Sequence, residues 1–91
     1  MDQLNTSPEG LTFPCSFPIK AMGRNSDELR QTVLEIVQRH APELSADTLT
    51  TAESRGGRFI SVTATITASS RAQLDAIYGE LKAHDSVLAT L

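Results

Sequence analysis

Apolar and polar positions follow two different periods along this chain. Between Arg58 and Ala68, Ile60, Val62, Ala64 and Ile66 alternate with Ser61, Thr63, Thr65 and Thr67. Such a run predicts a β-strand with one apolar and one hydroxyl-lined face, because successive strand side chains point to opposite sides. From Phe13 to Met22 a second extended pattern sets Phe17, Ile19 and Ala21 against Pro18, Lys20 and Met22. Proline has no N–H to donate, so Pro18 must face a bulge or an unpaired stretch if this strand lies inside a sheet. Gly23-Arg24-Asn25 is expected to break the strand. The period then lengthens: Leu29, Val33, Ile36, Val37 and His40 form one helical stripe, and Leu74, Ile77, Tyr78 and Leu81 form another. Asn25 is the expected cap of the first helix, with Asp27 and Glu28 at the positive end of its dipole. Ser70-Arg71-Ala72-Gln73 reads as a capping box for the second. Pro42 ends the first helix near Ala41.

Three further segments complete the order. Asp47 to Ser54 is threonine-rich and predicts a short, polar edge strand; Gly56-Gly57 signals a hairpin; Val87 to Leu91 reads as a last strand. The sum is an α+β domain, βαββαβ, with right-handed crossovers and both helices on one face of a four-stranded antiparallel sheet. Neither helices nor sheet can bury their apolar sides alone. The expected core is therefore Phe17, Ile19, Ala21, Ile60, Val62, Ala64 and Ile66 against Leu29, Val33, Ile36, Val37, Leu74, Ile77, Tyr78 and Leu81. Residues 1–12, with Ser7-Pro8-Glu9-Gly10, read as a flexible N-terminal segment, and residues 13–91 as a single domain.

Composition narrows the partners. Ninety-one residues make room for one domain, and 40% apolar with 21% charged residues is ordinary globular usage. A net charge of −3 excludes a dedicated nucleic-acid binder, which draws its affinity from cations on phosphates. No apolar run approaches the roughly 20 residues of a membrane helix. Met1-Asp2-Gln3-Leu4-Asn5 has no basic or apolar signal region, and the one cysteine, Cys15, forms no internal disulfide; both favour the cytoplasm.

The segments Phe17-Pro18-Ile19-Lys20-Ala21-Met22-Gly23, Val37-Gln38-Arg39-His40-Ala41-Pro42 and Gly57-Arg58-Phe59-Ile60-Ser61-Val62-Thr63 resemble the YbeD-like family of small bacterial proteins. The likeness runs from about Phe13 to Leu91. It implies a ferredoxin-like fold similar to ACT-type regulatory domains, and it implies no chemistry, since that family has no assigned activity.

Candidate chemistry is sparse. Lone Phe59 makes no base-stacking platform for RNA. Cys15 alone cannot hold a cluster or a soft metal, and His40 and His84 have no third ligand in view, so neither metal nor cofactor is expected. His40 and His84 read as helix-end residues that favour the negative dipole end. The remaining candidate is the loop Gly23, Arg24, Asn25 and Ser26, where glycine admits close backbone approach and free N–H groups begin a helix. ACT-type domains hold amino acids at this strand-to-helix loop, often as dimers; here Met22 stands where they carry proline, and no aspartate precedes it. Arg55 and Arg58 flank the hairpin turn and suit an acidic partner. The expectation is a small non-enzymatic regulatory or protein-interaction domain that binds a small carboxylate or amino acid at Gly23–Ser26, with a protein partner or a second copy as its associate. The alternative is an acylphosphatase-like hydrolase, to which Arg24-Asn25 is similar in residue types only.

Overall fold

In the computed structural model, which describes residues 11–91, the alternating run forms β3 (Phe59–Ala68) and the earlier extended segment forms β1 (Cys15–Arg24). The two pair antiparallel over their whole length, from Cys15 opposite Ala68 to Arg24 opposite Phe59. Between them come α1 (Asp27–His40), a 3-10 turn at Ala46–Thr48 and β2 (Thr50–Glu53); α2 (Arg71–Ala83) and β4 (Ala89–Thr90) follow β3. The sheet order is β2-β3-β1-β4, with every neighbour antiparallel. This is the βαββαβ order that the two periods predict. Of the expected N-terminal segment, residues 1–10 lie outside the described residues, while Leu11 already packs against the core.

Burial follows the pleat. Ile19, Ala21, Val62 and Ala64 are wholly buried beneath Leu29, Val33, Val37, Ile77 and Leu81 of the two helices. The alternate residues Ser61, Thr63, Thr65 and Thr67 are half-buried or exposed on the other face. The expected core is confirmed and enlarged. Ala41, Leu44 and Leu49, from the link between α1 and β2, close one flank, and Thr32 is buried on α1. Phe17 and Tyr78 are only partly buried and meet edge-to-face at 6.4 Å.

Pro18 sits mid-strand without breaking a ladder. Backbone groups of a strand face its two neighbours alternately. Lys20 and Met22 accept hydrogen bonds from Leu91 and Leu88 at 2.9 and 2.8 Å, so the even-numbered residues of β1 face β4. Pro18 belongs to that set, but β4 pairs only with Ala21 and Met22. Its missing N–H therefore points past the end of β4. The proline stands beside an unpaired stretch, as its chemistry requires.

Two local expectations are corrected. β1 runs through Gly23 and Arg24 rather than breaking there, because both residues keep their pairing with Ile60 and Phe59. The cap of α1 is Ser26, whose hydroxyl accepts from Leu29 N–H at 3.2 Å, and not Asn25. At α2, Ser70 caps as expected and accepts from Gln73 N–H at 3.1 Å. Gln73 reaches one residue further back than a capping box does, accepting from Ser69 N–H at 2.7 Å; its amide donates to the His40 carbonyl, also at 2.7 Å. The expected last strand shortens to Ala89–Thr90, since a turn at His84–Val87 takes up the preceding residues.

Candidate functional site

The exit of β1 and the β2–β3 hairpin meet at one corner of the molecule. Gly56 and Gly57, with φ of 87° and 74°, adopt the left-handed backbone that glycine alone accepts freely, and so turn the hairpin. That turn brings two carbonyls to Asn25. Its N–H donates to Arg58 O at 3.0 Å, and its side-chain amide donates to Gly57 O at 2.9 Å. The loop Gly23–Ser26 and the Arg55–Arg58 tip, far apart in sequence, are thereby one surface.

The four loop residues have different duties. Gly23 is buried, and a Cβ there would run into the carbonyl of Ser86. Its missing side chain serves the packing of the chain that leads into β4. Asn25 is committed to the hairpin and Ser26 to capping. Arg24 is exposed opposite Phe59. Arg24 and Ser26 line a cavity of about 280 Å³ together with Glu28, Asp85, Ser86 and Leu88. Gly23 and Asn25 do not line it, and neither do Arg55 and Arg58. Ser86 crosses the cavity's rim, its hydroxyl donating to Glu28 at 3.4 Å. Leu88 is one of the large apolar side chains left exposed.

Asp85, Ser86 and Leu88 were not recoverable from their own neighbourhood in the sequence. They reach the cavity because β4 lies beside β1. The cavity thus holds one guanidinium and two carboxylates, an arrangement with complementary places for a negative and a positive group on one small molecule. The Arg24-Asn25 pair is split, since Arg24 lines the cavity while Asn25 lies outside its lining with its amide donating to Gly57 O.

A second polar cluster joins the helices. Arg39 donates to one oxygen of Glu80 from Nε and Nη2 at 3.0 and 2.6 Å, and His40 Nε2 lies 2.5 Å from the other. These contacts, His40 first and then Arg39, hold the Glu80 carboxyl below its ordinary range. Both Glu80 oxygens are taken. The cluster braces α1 to α2 and supplies the partner that His40 lacks in the linear sequence. His84 accepts from Ser86 N–H at 3.1 Å and closes the turn after α2. Among the described residues, no three His, Cys, Asp or Glu side chains gather as metal ligands. No helix there is long and apolar enough to cross a membrane.

Comparison with known proteins agrees with this architecture. The family model described as "Protein of unknown function (DUF493)" matches residues 8–91. The chain is 48% identical over 79 residues to a UPF0250 protein of Chromobacterium violaceum, covering 87% of this chain and 89% of that one. It is 43% identical over 81 residues to a UPF0250 protein of Nitrosomonas europaea, covering 89% and 91%. The resemblance to small YbeD-like bacterial proteins is thereby confirmed. Among solved structures, the solution structure of protein HP0495 from H. pylori superposes with a TM-score of 0.71 over 99% of this chain and 91% of that chain. At 16% identity that likeness concerns the fold alone, and it supports the α+β, ferredoxin-like arrangement.

Proposed function

The chain belongs to the DUF493 family, and on that premise we propose a small, non-enzymatic regulatory domain that binds an amino acid in the cavity between β1, α1 and the turn before β4. The carrying observation is the charge pattern of the lining, which combines one arginine, Arg24, with two acids, Glu28 and Asp85. An α-carboxylate fits the arginine, while an α-ammonium fits the acids. A plain carboxylate meets the same arginine and the repulsion of both acids, so the zwitterion is the better ligand. The volume of about 280 Å³ suits a small molecule and is near the lower end for ligand pockets.

Arg55 and Arg58 extend the corner and offer an acidic protein partner two exposed cations. Asn25 links them to the loop that carries Arg24, so occupancy of the cavity and docking of a partner share one structural support. A cytoplasmic setting is consistent with the free Cys15.

The test is a titration followed by backbone amide shifts, with glycine, leucine and glutamate as ligands and acetate and methylamine as half-ligands. Saturable shifts at Arg24, Ser26 and Ser86 are expected for an amino acid, weaker ones for acetate, and loss in Arg24→Ala. If these amides stay still under every amino acid, the proposal fails.

A further inference from the structure

At the end of the sheet remote from the cavity, β3 has one side uncovered. β2 pairs with Ile60 to Thr63 and stops, whereas β3 continues to Ala68. Ser54 N–H donates to Phe59 O at 2.9 Å, which sets the odd-numbered residues of β3 toward β2. Thr65 and Thr67 belong to that set. Among the described residues no strand lies beside them there.

The space next to them is a slot of about 360 Å³. Thr65, Ile66, Thr67 and Ser16 line the sheet side, and Glu43, Leu44, Ser45 and Thr48 line the other. That second wall is held in place. Gln38 donates to Leu44 O at 2.8 Å, Arg30 to Ala46 O at 3.2 Å, and Thr48 Oγ1 to Ser45 O at 2.7 Å. Among the described residues, Glu43 is the only charged one in the lining.

We infer that this slot takes an extended, basic peptide segment of a partner protein, which adds to β3 as a strand in line with β2. Thr65 and Thr67 each present an N–H and a C=O outward, so main-chain hydrogen bonds supply the docking, as in other strand additions. Thr65 to Ala68 accommodate about four peptide residues. Glu43 selects lysine or arginine in that segment over an acid. A proline at the pairing positions is excluded, because it has no N–H to give. The slot is separate from the amino-acid cavity, and neither inference depends on the other.

The probe is an acetylated, amidated pentapeptide, Thr-Lys-Val-Lys-Thr, compared with Thr-Glu-Val-Glu-Thr and with the lysine peptide N-methylated at valine. Saturable amide shifts at Thr65, Thr67 and Glu43 to Thr48 are expected with the first peptide only. Glu43→Lys is expected to raise its Kd at least tenfold. Thr67→Pro removes an outward N–H and leaves the β1 ladder intact, as Pro18 does on the opposite side, and is expected to do the same. Should Thr67→Pro not fold, the N-methylated peptide and Glu43→Lys carry the test. Absence of saturation at millimolar peptide, or binding indifferent to both the N-methyl group and Glu43→Lys, overturns the inference. Shifts of Thr65 and Thr67 with concentration of the free protein would assign the slot to a second copy and overturn it equally.

Discussion

Replacing Gly23 with alanine adds a single methyl group where the structure has no room for it. The new Cβ meets the carbonyl oxygen of Ser86 well inside van der Waals contact, with Leu29 Cδ2 at 3.1 Å on its other side. Gly23 does not use a positive φ, so alanine gains there by restricting the unfolded chain, a benefit of about 0.4–1 kcal/mol. Against it stands the overpacking. Ser86 is backbone, so relief requires the turn at His84–Val87 to move and strain the bond from Leu88 N–H to Met22 O at 2.8 Å, at a cost of about 1–3 kcal/mol. The clash prevails. Because the obstacle is backbone, the cost falls in the upper half of that range, and a net loss of about 1–2.5 kcal/mol lowers Tm by roughly 4–20 °C in a domain of this size. Urea and thermal denaturation measure the loss, and amide exchange at Leu88 and Leu91 locates it. If Gly23→Ala matched the wild type in Tm and left those two amides protected, the packing explanation of this glycine would be wrong. The loop would then need its glycine for another reason, such as the approach of a ligand.

Two further outcomes follow from the core and from the helix brace. Val62 is fully buried, so Val62→Asp places an unpaired charge among aliphatic side chains and abolishes cooperative unfolding, while Val62→Ile costs only about 1–3 kcal/mol by overpacking; chemical denaturation separates them. Glu80 is held below its ordinary pKa of 4.5 by His40 and Arg39, so its contribution is present above that value and is lost as pH falls through the depressed folded value. Glu80→Gln should therefore be less stable than wild type at neutral pH and show a shallower acid limb in a Tm-against-pH profile; equal slopes below pH 4.5 would remove Glu80 from the account.

Element types were set by local pattern, because burial on one side of a strand or helix leaves its period in the chain itself. The alternation from Ile60 to Thr67 and the stripe from Leu29 to Val37 needed no partner to be read, and together they implied the layered βαββαβ order. Pro18 even announced an unpaired neighbour before that neighbour could be located. Tertiary structure decided what depended on competition or on distance. Asn25 and Ser26 are both able to cap a helix. Ser26 does so because the hairpin carbonyls of Gly57 and Arg58 claim Asn25. Gly23 looked like a loop glycine and is a packing glycine, since the obstacle is Ser86, which only the placing of β4 brings near. The same long-range pairing brings Asp85 into the cavity that Arg24 lines, and the helix packing sets Glu80 against Arg39 and His40. Charges on such partners leave no period along the chain, so their meeting is visible only after the sheet has closed.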